Sequence, residues 1–110
     1  MRTIQISEET FDRLKDQLVG AKEIGVLDDM VGQSFFFRTV TFYLVGKVVR
    51  RIGQWLVLDD ASWVADSGRF MQAIKEGILN EVEPVGRAYV NMESITDFFP
   101  WNHALPENQK

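Results

Sequence analysis

The sequence has no cysteine, a single histidine and only three prolines in 110 residues. Without cysteine there is no disulfide scaffold, no thiolate zinc site and no cysteine nucleophile. The lone imidazole, His103, rules out any metal or catalytic scheme that needs two. Long apolar runs are missing as well, since none approaches the roughly 18 residues of a membrane-spanning helix. The opening MRTIQISEET lacks the pattern of a secretory signal. A cytoplasmic protein with no cofactor and no membrane partner is expected.

What is present is 45% hydrophobic and 25% charged, with a formal charge of −4. That length fits one domain and suffices to bury a core without staples. The charge is uneven: residues 1–29 carry −3, residues 30–58 carry +4 and residues 59–110 carry −5. Arg38, Lys47, Arg50 and Arg51 supply the basic segment. A cationic, apolar middle between acidic flanks can attract an anion locally while the molecule stays soluble. It is equally the pattern of core strands whose few outward charges are basic.

Arg2–Ile6 alternates as a short strand would, and Ser7 followed by Glu8 and Glu9 reads as a helix start. Phe11, Leu14 and Leu18 make one apolar stripe, and Gly20 is a helix stop. This opening resembles the strand-then-helix start of many small antitoxin and repressor proteins, over fewer than 20 residues.

After an acidic connector the strongest strand signal follows, SFFFRTVTFYLVGKVV over Ser34–Val49, rich in aromatic and β-branched residues. Gly46 interrupts it and marks a bend or bulge. Lys47–Arg51 continues as a second strand, Gly53-Gln54 turns, and Trp55–Leu58 returns. Asp59–Ala65 is ambiguous between strand and turn. Asp66 or Ser67 can cap a helix whose apolar face is Phe70, Ala73 and Ile74 and which Gly77 ends. Leu79–Val82 and Ala88–Met92 read as two short strands around a loop holding Pro84 and Gly86. Ser94–Phe99 is a short helix or a last strand, stopped by Pro100.

The expected fold is therefore α+β: a small, strongly bent sheet or partly open barrel, with an N-terminal helix and one inserted helix. It forms one domain, with an N-terminal part (1–30), a β-rich core (31–105) carrying the helix at about 67–76, and a loosely held tail (106–110).

The element order, with VTFYLVGKVVRRIGQWLVLDDA and then RAYVNMESITDFFP, resembles the Sm-like (SH3-like) barrel of the bacterial Sm-type RNA chaperones. The match covers about half the chain and departs from the family by inserting residues 65–85 before the closing segment. It implies a small barrel that assembles into a ring through strand edges, with RNA as a partner, and it places no RNA-contacting residue. A wider resemblance rests on FRTVT, LDDASWVADSGRF, NEVEP and PWNHALP, and is to small phage-type proteins. It implies a genetic setting, the host cytoplasm, and no activity.

Among candidate sites, Trp63 and the run Ser67-Gly68-Arg69 come first. A helix start offers unpaired amides, Ser67 can donate, Gly68 admits a ligand to the backbone, Arg69 offers a guanidinium fork and Trp63 can stack on a base. Arg38, from the basic segment, joins them as a ligand-binding candidate. Against this stands the plainer reading, in which Asp66 caps the helix and Trp63 is core. The carboxylates Asp59, Asp60, Asp66, Glu76, Glu81 and Glu83 match no calcium loop, so no metal is expected. His103 has no serine, glycine elbow or oxyanion loop beside it, so no catalytic residue is assigned.

Phe35-Phe36-Phe37 puts aromatic rings on both faces of one strand. Covering both within 110 residues is hard, so Phe35, Phe37, Tyr43 and Trp101 are expected at an oligomer interface. The expected function is a homo-oligomeric, non-catalytic binding module taking a nucleotide-like or other anionic ligand, used in counter-defence if phage-encoded. The alternative is a phage structural or assembly protein acting through protein contacts only.

Overall fold

A computed structural model describes residues 24–110, so the expected N-terminal strand and helix lie outside the described residues. Five strands follow a short 3₁₀ turn at Leu27–Met30: β1 (Ser34–Thr39), β2 (Tyr43–Ile52), β3 (Trp55–Asp66), β4 (Glu81–Asn91) and β5 (Ile95–Pro100). One helix, α1 (Phe70–Glu76), is inserted between β3 and β4. The strands form a single antiparallel sheet in the order β4-β3-β2-β1-β5. β4 and β5 are its two ends and do not pair, so the sheet curls without closing.

The long aromatic run breaks at Val40-Thr41, before Gly46. The Thr39 amide and hydroxyl donate to the Phe42 carbonyl at 2.9 and 2.7 Å, and the Phe42 amide donates back to Thr39 Oγ1 at 3.0 Å. A side chain that closes its own turn is hard to see in a β-branched sequence. Gly46 instead lies inside β2, where the β2–β3 register slips between Val45 and Lys47. The extra residue is Asp60 on β3, held at φ 52°, a conformation that aspartate tolerates better than most side chains. Asp59–Ala65 is thus strand, bent at one bulge. A second slip, around Val49, follows on β2.

β4 is likewise one strand where the sequence suggested two. Pro84 and Gly86 sit within it at a register shift, and Pro84 is tolerated because β4 is an edge. Ser94–Phe99 resolves into the 3₁₀ turn Met92–Ser94 and then β5.

Alternation along the strands makes two cores. On the inner face Phe35 and Phe37 pack with Leu44, Val48, Leu58 and Met30. On the outer face Phe36 and Val45 pack with Ala73 of α1, Leu79, Val82 and Trp101, with Leu105 alongside. All three phenylalanines are at most 1% exposed, each worth roughly 1.5–3 kcal/mol of burial. The expectation that so short a chain cannot cover both faces of this strand is overturned. The inserted helix and the segment from Trp101 supply the second layer.

Candidate functional site

Asp66 ends β3 by accepting the Gly68 amide on Oδ1 at 2.8 Å, so the carboxylate already holds the amide an anion would use. The Ser67 hydroxyl donates to the Gly68 carbonyl at 3.2 Å. Gly68 has φ 69°, and a Cβ there would come within 2.9–3.1 Å of the Asn80 side-chain amide. Its glycine answers to a tight turn against Asn80. α1 begins after Arg69, whose side chain makes no capping bond, and runs only seven residues. Trp63, 40% exposed, stands on β3 opposite Leu44 and Glu83. It lines a cleft of about 260 Å³ with Val40, Phe42 and Tyr43, and none of Ser67, Gly68 or Arg69 lines that cleft. The structure does not gather Trp63 and Ser67–Arg69 around one space.

Arg38 is engaged elsewhere. Its Nε and Nη2 donate to the Asp97 carboxylate at 2.7 and 2.5 Å, and its guanidinium carbon lies 4.5 Å from the Phe70 ring centre and 5.4 Å from that of Phe99. The hydrogen bond from Arg38 holds the Asp97 carboxyl below the usual carboxylate range, and the same bond raises Arg38. This fork ties β5 to β1 and to α1.

Of the residues expected at an interface, Phe35 and Phe37 lie inside the inner core and Trp101, 3% exposed, is stacked 6.0 Å from Phe36. Their surfaces are spent within the chain, because the outer layer that the sequence seemed to lack is present. Tyr43 is half-buried beside Phe36, at 5.7 Å. His103 donates from Nε2 to the Ile74 carbonyl at 2.8 Å and meets Trp101 edge-on, which makes it a peg for the end of α1.

The surface that sequence reasoning passed over is the half of the outer face that neither α1 nor the Trp101 segment covers. Trp55 (46% exposed) and Tyr89 (54%) stand there on neighbouring strands. The pairs Arg50↔Val57 and Val57↔Tyr89 put Arg50 on the same face, and Lys47↔Asp59 adds Lys47. In an unbroken strand Lys47 and Arg50, three residues apart, would point to opposite faces. The extra residue at Val49 brings them to one side. Neither is in an ion pair with a described residue. Asp59 is the acid of this face, and Arg87 holds it with Nε and Nη2 at 2.7 and 3.0 Å. That bond, more than the nearby Lys47, lowers the Asp59 carboxyl. The sequence signal was the +4 segment, but the bulge that focuses it is not written in residue spacing.

Among the described residues no three His, Asp or Glu side chains converge as metal ligands, and no helix is long and apolar enough to cross a membrane. No family model matches the chain, and no curated protein does. Among solved structures, the crystal structure of a heptameric archaeal Sm protein is similar, with a TM-score of 0.44 and 21% identity. The similarity covers 66% of this chain and 90% of that one.

Proposed function

We propose that this protein is a non-catalytic, self-associating binding module for a nucleotide-like anionic ligand, held on the open half of the outer sheet face. The observation that carries the reading is the placement of two half-exposed rings, Trp55 and Tyr89, on one face with Lys47 and Arg50. Flat aromatic surfaces stack on bases of any sequence, and cations beside them neutralise phosphates. An RNA or DNA single strand fits this better than a buried mononucleotide, because all four side chains are exposed on the sheet surface. Counter-defence sequestration of a nucleotide, in the phage setting that the sequence resemblance implies, would use the same face.

Self-association is supported by the two ends of the sheet, β4 and β5, neither of which has a second strand beside it, so that they can pair between copies as a continuing sheet. The alternative, a structural protein acting through protein contacts only, rests on those edges alone.

Fluorescence anisotropy with a labelled single-stranded 12-mer, run beside free nucleotides and cyclic dinucleotides, tests the ligand. Binding that weakens with salt and with Trp55→Ala supports it, while Trp63→Ala and Arg69→Ala are expected to change little. If no anionic ligand binds at low salt, the module reading fails and the assembly reading takes its place. Light scattering tests the oligomer, and a mass of one 12.7 kDa chain at high concentration removes it.

A further inference from the structure

The segment expected to hang loose is hydrogen-bonded to the sheet. The Lys110 amide donates to the Val82 carbonyl at 2.9 Å, and the Val82 amide donates to the Lys110 carbonyl at 3.1 Å. This reciprocal pair lies on β4, a terminal strand whose other side is occupied by β3. It therefore sits where a further strand would add. The path to it starts at Trp101, whose amide donates to the Ser34 carbonyl at the start of β1, and runs past His103, pinned to α1, and Leu105, packed on the outer core. Residues 101–110 thus cross from the β5 end of the sheet to its β4 end.

The crossing is firmly seated at its start and loosely seated at its finish. A cavity of about 440 Å³ lies between Ala104–Glu107 and the bulged stretches of β3 and β4 at Asp60, Ala61, Pro84 and Gly86. An open cleft of about 400 Å³ lies between Glu107–Gln109 and Glu83-Pro84. Glu107 and Glu83 line the same space with like charge, which weakens the closure. Two residues on, Pro84 has no amide to offer a strand. Val82 is thus the donor on this stretch of edge that the segment covers.

We infer that the outer edge of β4 is an acceptor for an extended strand of a second copy of this chain, and that residues 107–110 hold it shut in cis. The inference rests on the edge-assembly reading above and adds to it a competitor built into the chain. An incoming strand must displace Lys110 from Val82, and removing the segment opens the edge.

Two variants test this: a chain ended after Pro106, and full-length Lys110→Pro, which lacks the amide that donates to Val82. Near-UV circular dichroism checks that each keeps the full chain's packing. In the monomer, amide exchange at Val82 is expected to accelerate roughly tenfold in the truncated chain, which loses both hydrogen bonds, and less in Lys110→Pro, which loses one, with the association constant by light scattering rising in the same order. If the full chain associates and the variants associate equally, edge assembly stands and the cis closure is wrong. Unchanged exchange at Val82 in the truncated chain, measured where it is monomeric, also overturns the closure. If Val82 opens but neither the full chain nor the variants associate, the acceptor edge and the assembly reading fall together.

Discussion

Gly46 and Ala61 face each other across β2 and β3 so closely that a Cβ on Gly46 would lie 3.1 Å from both the Cα and Cβ of Ala61. Leu58 Cβ is at 3.3 Å, on the other side of the Asp60 bulge. The backbone of β3 therefore bends into the space that Gly46 leaves empty. Gly46→Ala is expected to destabilise the fold by about 1–3 kcal/mol, since Ala61 Cα cannot move without its strand. Chemical denaturation measures it. An unchanged midpoint would show that β2 and β3 leave room for the added methyl.

The fork between Arg38 and Asp97 makes stability depend on pH at the acid end. Asp97 titrates below its ordinary value of 3.8 when folded, so the unfolded chain takes up the proton first as pH falls. Its stabilisation is complete above that ordinary value and is lost as pH drops through the lower folded one. Asp59, held by Arg87, acts in the same sense. Thermal unfolding between neutral pH and about pH 3 is expected to show a fall that Asp97→Asn makes shallower. Both side chains of the fork are about one-third exposed, so a double-mutant cycle with Arg38→Ala should return no more than about 1 kcal/mol.

Much of this fold was legible in the residues. The aromatic, β-branched stretch of β1 and β2, the Gly53-Gln54 turn and the apolar face of α1 are local patterns, and each appears in its place. What escaped was non-local. The turn at Thr39–Phe42 is closed by a side-chain hydroxyl, and Pro84 is tolerated only because β4 ends the sheet. The cover over Phe36 comes from Ala73 and Trp101, far along the chain. The candidate ligand face escaped for a sharper reason. Lys47 and Arg50 share a face only through the extra residue at Val49, and Tyr89 joins them only through the β3–β4 register.

His103 and Gly77 are coupled at the end of α1. Gly77 has φ 75°, and a Cβ there would lie 2.6 Å from His103 Cγ. Gly77→Ala thus meets two separate costs, a left-handed backbone at about 1–2 kcal/mol and a collision with the imidazole. His103→Ala removes the collision along with the bond to Ile74, worth about 1 kcal/mol. The double variant is expected to be more stable than the two single losses added together. Strict additivity in denaturation would mean that the ring does not sit over Gly77.

The outer face gives the sharpest functional prediction, because its two kinds of residue act differently on a bound strand. Stacking on Trp55 or Tyr89 is short-ranged and uncharged, so either alanine variant should weaken an oligonucleotide by about 1–3 kcal/mol and leave the salt dependence nearly as it was. Lys47 and Arg50 act through phosphate. Lys47→Gln or Arg50→Gln should lower the slope of log affinity against log salt by about 0.7 for each phosphate no longer neutralised, the single-strand value. Arg87 gives a control within the same face. Its guanidinium is already committed to Asp59, so Arg87→Gln should change the slope less than Arg50→Gln does. A slope that responds equally to all three would mean that general charge, and not this arrangement of rings and cations, attracts the strand.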